Sequence, residues 1–141
     1  MNKDSVLALD LEGTLISNAM SQIPRPGLYL FLDKCSKKFN RIVIFTAISE
    51  KRFQTIAKLL VEENLTPDWF EDMEYINWKG KFKDLKFIPQ SKIEDIIIVD
   101  DRVEYILPTQ MKNWIYIPEF AAPYPSDDYD LANLWGKLAM L

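Results

Sequence analysis

Three short apolar runs recur along the chain: Val6-Leu7-Ala8-Leu9, Ile42-Val43-Ile44-Phe45 and Ile96-Ile97-Ile98-Val99. Each stops at an oxygen-bearing side chain, respectively Asp10, Thr46 and Asp100. Continuous apolar runs of this length read as strands buried on both faces. Helical spacing separates them. Leu28, Phe31, Leu32 and Cys35 mark a helix over 27–38, and Phe53, Ile56, Ala57 and Leu60 mark one reaching about residue 62, with Ser49 as its N-cap. Strands alternating with helices specify a parallel α/β sheet in three layers. The remaining stretches are less regular. A loop with Pro24 and Pro26 spans 11–27, and 64–81 reads as a short helix and a hairpin. Residues 83–90 read as a turn or short strand and 114–117 as a last strand. A closing helix over 127–141 turns Leu131, Leu134, Trp135 and Leu138 inward.

The length of 141 residues predicts one domain over 1–141, large enough for a sizeable core. A net charge of −4 argues against tight, sequence-independent binding to nucleic acid or anionic lipid. The chain has no His, which excludes Ser-His-Asp catalysis and imidazole bases. Acid/base chemistry must fall to Asp, Glu, Lys or Tyr. The single Cys35 excludes an internal disulfide and reads as a buried small hydrophobe. The N-terminus runs straight into the first strand without a signal segment, and no apolar run is long enough for a bilayer. The expectation is a cytoplasmic protein.

In an open parallel sheet, ligands bind at the C-terminal edge of the strands. There the first strand delivers Asp10, with Glu12 two residues on and Gly13-Thr14 behind it. Paired carboxylates can divide the roles of nucleophile and general acid/base, or share a divalent cation. Thr46-Ala47 opens toward a helix start, where a hydroxyl and backbone N–H groups suit a phosphate. Asp100-Asp101 adds two more acids to that edge, and such a cluster is costly without a cation. Lys79, Lys81, Lys83 and Lys86 form one basic run, which is either a solvated face or the source of a lysine at the site. The residues alone do not choose which lysine.

This order of motifs resembles the haloacid dehalogenase-like (HAD) phosphatase superfamily. Arg25-Pro26-Gly27-Leu28, Ile42-Val43-Ile44-Phe45-Thr46-Ala47, Lys83-Asp84-Leu85 and Ile97-Ile98-Val99-Asp100-Asp101 are similar, more narrowly, to its NLI-interacting-factor/FCP/SCP group. The resemblance implies a HAD-like (Rossmannoid) fold, capless or with a minimal insertion. It implies Asp10 as the nucleophile, Glu12 as general acid/base, and Lys83 as the stabiliser of the phosphoryl oxygens. Thr46, Ala47 and Lys83 would bind phosphate. Asp10, the Glu12 backbone carbonyl and Asp100 would hold Mg²⁺, with Asp101 supporting them or a metal-bound water. Where the family has Asp, this chain has Glu12, longer by one methylene or ~1.5 Å.

The implied activity is a Mg²⁺-dependent phosphomonoester hydrolase working through an aspartyl-phosphate on a phosphoprotein or other macromolecule. Trp69, Tyr75 and Trp78 would either line its entrance or pack in the core. The alternatives are a catalytically weak or inactive phosphate- or partner-binding module, and a phosphatase for small metabolites or nucleic-acid ends. A structural interaction protein that uses no metal is the third.

Overall fold

A computed structural model describes residues 4–141. Five parallel strands form one sheet: β1 (Val6–Leu9), β2 (Arg41–Ile44), β3 (Glu74–Tyr75), β4 (Ile96–Asp100) and β5 (Trp114–Tyr116). Their spatial order is β3-β2-β1-β4-β5. The chain therefore steps outward from β1 through β2 to β3, then returns to place β4 on the other side of β1. That reversal opens a crevice at the C-terminal ends of β1 and β4, where open α/β sheets bind ligands. In register, Leu9 lies opposite both Ile44 and Val99, so Asp10, Thr46 and Asp100 emerge along one edge.

Side-chain alternation divides the core. Leu7, Leu9, Ile44 and Val99 face one layer, built by α1 (Leu28–Lys38), α2 (Glu50–Glu62) and α3 (Asp130–Ala139). Val6, Ala8, Val43, Phe45, Ile96 and Ile98 face the other, covered by Leu85, Ile88 and Ile106 from 3-10 turns and their flanks. Successive strand side chains point to opposite faces, which is why unbroken apolar runs serve both layers at once. Cys35 lies buried on α1, where burial pushes its thiol up to about 12. Ser49 caps α2, its hydroxyl accepting from the Arg52 N–H at 3.3 Å.

The reading of 64–81 needs correction. A 3-10 turn over Asp68–Asp72 is present, but there is no hairpin: Glu74–Tyr75 pairs in parallel with β2 as the edge strand. The wide connection from α2 brings the chain back in the same direction as β2, which a tight turn cannot do. Residues 85–87 form a 3-10 turn rather than a strand. The closing helix is shorter than 127–141, running Asp130–Ala139, and Trp135 is only partly buried beside Leu131, Leu134 and Leu138. Among the described residues, no helix is long and apolar enough to cross a membrane.

Candidate active site

Asp10 follows β1 directly, tied to the sheet by its own N–H to the Val99 carbonyl at 3.1 Å. Its carboxylate is almost wholly buried and held from two sides. Lys83 Nζ donates to Oδ1 at 3.0 Å, and Thr14 Oγ1 donates to Oδ2 at 3.1 Å. Lys83 Nζ also donates to Asp100 Oδ2 at 2.6 Å, while Thr14 Oγ1 lies 3.2 Å from Asp101 Oδ1. Two small bridges thus join Asp10, just after β1, to the two acids at the end of β4.

Of the four lysines that the residues alone left open, Lys83 is the one buried beside these acids. Lys83 is 1% exposed, whereas Lys79, Lys81 and Lys86 stand in solvent. Its backbone N–H donates to the Tyr105 carbonyl at 2.8 Å, and its ammonium sits 4.7 Å from the centre of the Tyr105 ring. Burial alone would lower the pKa of this ammonium. The charges of Asp10 and Asp100 and their hydrogen bonds outweigh burial and raise it.

Asp10, Asp100 and Asp101 each offer an oxygen within 4.8 Å of the others. With all three ionised, Lys83 leaves two negative charges uncompensated; Arg102 reaches Asp101 only at 4.0 Å, from an exposed position. The strain appears in the acids. Burial, the hydrogen bond to Asp10 and the charges of Asp10 and Asp100 push Asp101 up to about 8. Burial and the Asp10 charge push Asp100 up to about 6, against the pull of Lys83. An all-oxygen cluster with two excess negative charges suits a hard divalent cation such as Mg²⁺.

These shifts carry a sign for the metal-free protein. Asp100 and Asp101 bind protons more tightly folded than unfolded, so their stabilising contribution is complete below the ordinary carboxylate range. It is lost as pH rises through about 6 and about 8. In EDTA, thermal denaturation is expected to show Tm falling from about pH 5 to about pH 9, and saturating Mg²⁺ to flatten that slope. A metal-free Tm that holds or rises over this interval contradicts the coupling of these acids.

Thr46 is buried at the end of its run, and its hydroxyl accepts from the Ile48 N–H at 3.1 Å. Its carbonyl accepts from the Trp78 indole at 2.7 Å, and the Tyr75 hydroxyl donates to the Ile48 carbonyl at 2.5 Å. Tyr75 and Trp78 therefore brace the Thr46–Ile48 turn, and Trp78 also packs edge-on against Tyr105. Trp69 packs against the helical-side core. Ala47 is exposed beside Thr46.

Glu12 does not join the acidic cluster. Its Oε2 accepts from the Ala19 N–H at 2.6 Å, and Ala19's carbonyl is held by Arg52 at 2.9 Å. The longer side chain reaches the loop backbone. Gly13, next along, has φ +74, and a Cβ there would lie 2.6 Å from Asp101 Oδ2. Only glycine fits that approach and that backbone. The sequence reading assigns no role to Thr14 or Tyr105, and makes Trp78 an entrance-lining or core aromatic rather than a brace on the Thr46 carbonyl. Thr14 stands in the Asp-x-Glu-Gly-Thr string, but no local pattern marks Tyr105.

A parallel sheet of this order, with Asp after β1, Thr after β2, a buried Lys and paired Asp at the end of β4, is the HAD-type phosphatase arrangement. The sequence over residues 5–140 matches the model of the NLI interacting factor-like phosphatases, and the chain belongs to that family. The fold is similar to that of an arginine-to-alanine variant of the fission yeast RNA polymerase II CTD phosphatase Fcp1, bound to beryllium fluoride. That likeness has a TM-score of 0.58 at 16% identity and covers 98% of this chain. The chain spans 50% of that neighbour's length. No curated protein matches the sequence significantly.

Proposed function

We propose that this protein is a Mg²⁺-dependent phosphomonoester hydrolase that forms an aspartyl-phosphate on Asp10. The observation that carries the reading is the double hold on Asp10, by Lys83 and Thr14, inside a cluster of acids at the sheet's switch point. Asp10, Asp100 and Asp101 would hold the cation, joined by the Glu12 backbone carbonyl. Once bound, it would neutralise charge that otherwise repels a phosphate dianion.

The chain's own residues supply the rest. An Asp10 oxygen forms a bond to phosphorus as the bond to the ester oxygen breaks, and the departing oxygen takes a proton from Glu12. Water then attacks phosphorus, gives its proton to Glu12, and the bond to Asp10 breaks to release inorganic phosphate. Lys83 stabilises the phosphoryl oxygens throughout, and Thr46 with the Ala47 N–H binds the phosphate. The substrate is a phosphoprotein or another macromolecule. Family membership supports this, as do the short connections between α2 and β4, which among the described residues form loops, 3-10 turns and one two-residue strand.

The test is hydrolysis of p-nitrophenyl phosphate with Mg²⁺ and with EDTA, followed by phosphopeptides, nucleotides and sugar phosphates at matched concentration. Metal-independent turnover sinks the mechanism. Preference for sugars or nucleotides by tenfold in kcat/KM, ~1.4 kcal/mol, sinks the substrate class.

One observation favours a second reading, a phosphate- or partner-binding module with little turnover: the Glu12 carboxylate is held by Ala19 rather than turned to Asp10. Glu12→Asp separates the two. On the hydrolase reading the shorter side chain loses the reach for which this loop is built, and kcat falls by roughly a hundredfold, as for a group displaced by about 1 Å. On the binding reading, Glu12→Asp creates turnover where there was none.

A further inference from the structure

We infer that Arg25 is a positioning residue for the acidic site, acting through the backbone of Gly13 and Thr14. This rests on the hydrolase reading above. Arg25 lies in the loop before α1, yet its side chain is fully buried. All three guanidinium nitrogens are engaged. Nη1 donates to the carbonyls of Gly13 at 3.3 Å and Thr14 at 3.2 Å. Nε and Nη2 donate to the two Asp128 oxygens, each at 3.1 Å. Nη2 also donates to the Pro118 carbonyl and to Asp130 Oδ2, both at 2.7 Å.

The carbonyls that Arg25 holds belong to the residues that shape the site. Thr14 is the hydroxyl bridging Asp10 and Asp101, and Gly13 passes too close to Asp101 to carry a side chain. Gly13's carbonyl also accepts from the Phe120 N–H at 2.8 Å, and the Phe120 ring lies under the guanidinium, 5.5 Å from its carbon. Arg25 therefore clasps the turn after Asp10 to the segment running from Pro118 to the start of α3. The Asp128 oxygen it holds at Nε also accepts the N–H of Asp130, the first residue of α3, at 3.0 Å.

A guanidinium suits this position because its planar fork reaches a carboxylate and several carbonyls at once. A lysine would keep the charge but could serve only part of this set. The Thr14 backbone would then be free to shift, and its hydroxyl with it. The geometry makes the C-terminal segment, more than ninety residues from Thr14 in the chain, part of what aims Asp10 and Asp101.

The test compares wild type with Arg25→Lys, Asp130→Asn and Leu138→Ala. The last is a core truncation near the far end of α3, at a residue that takes no part in the hydrogen bonds of Arg25 and Asp128. Each is assayed at the same interval below its own Tm, for kcat and KM on p-nitrophenyl phosphate and for the Mg²⁺ concentration that half-saturates the thermal shift. Arg25→Lys is expected to lower kcat on the order of tenfold or more with KM within about twofold, and to raise the Mg²⁺ midpoint. Asp130→Asn should move both in the same direction by less, and Leu138→Ala should lose Tm with kcat intact. Arg25→Lys matching Leu138→Ala in kcat and Mg²⁺ midpoint overturns the inference. Should Arg25→Lys fail to fold, Asp130→Asn decides, and a kcat and midpoint equal to wild type overturn it. If wild type shows a Mg²⁺ shift without turnover, the hydrolase reading fails and the midpoint alone decides the clasp. If wild type shows neither, both fall.

Discussion

Asp10→Asn is expected to abolish turnover, with kcat falling by at least ~10⁴-fold, the scale seen when a nucleophile is removed. The amide is nearly isosteric, so the buried site should keep its shape. Its one oxygen can still accept from Lys83 or from Thr14, which now hold the two carboxylate oxygens at 3.0 and 3.1 Å. What it loses is the anion that attacks phosphorus. Two measurements check this together. Steady-state hydrolysis of p-nitrophenyl phosphate gives the rate, and acid-quenched protein incubated with ³²P-labelled substrate gives the covalent intermediate. Wild type should retain acid-stable, hydroxylamine-sensitive label and Asp10→Asn none. Label persisting in Asp10→Asn, or turnover within about tenfold of wild type, would place the nucleophile elsewhere.

Lys83→Met should damage both stability and rate. The ammonium is 1% exposed and joins Asp10 at 3.0 Å to Asp100 at 2.6 Å. Removing one partner from a buried ion pair costs about 3–5 kcal/mol, because the charges left behind have neither water nor counter-ion. Met keeps the stem's packing, so the loss isolates the charge. Denaturant unfolding in EDTA is the direct measurement. The deficit should shrink in acid, where protonation of Asp100 and Asp101 relieves the repulsion. It should shrink again with Mg²⁺, which binds only the folded cluster. On rate, loss of the cation facing the phosphoryl oxygens should cost about 10²–10³ in kcat. A Lys83→Met protein as stable as wild type in EDTA would mean that Asp10 and Asp100 are not charged together.

The strands and their order of chemistry were legible because their signals are local. A buried strand shows itself in four consecutive residues, and Asp10, Thr46 and Asp100 stand where those runs end. Helices α1 and α2 were equally legible from apolar spacing and the Ser49 cap. The edge strand at Glu74–Tyr75 was not. Two residues carry no period, and their pairing with β2 depends on where the chain lands after α2. Choosing Lys83 from four lysines needed the family pattern, since nothing in that run distinguishes a buried amine from a solvated one.

The sequence by itself therefore determined an α/β sheet with acids and a hydroxyl delivered to its C-terminal edge. Periodicity and strand ends are properties of neighbouring residues. Tertiary structure alone decided how those groups meet. Lys83 reaches Asp10 across 73 positions, Thr14 reaches Asp101 across 87, and Arg25 reaches Asp128 across 103. It also decided that Glu12 bonds to Ala19 while Asp101 joins Asp10 and Asp100. The physical reason is that direction and burial of a polar side chain depend on partners far along the chain. Those partners become neighbours only once the sheet and its covering layers have closed around the crevice between β1 and β4.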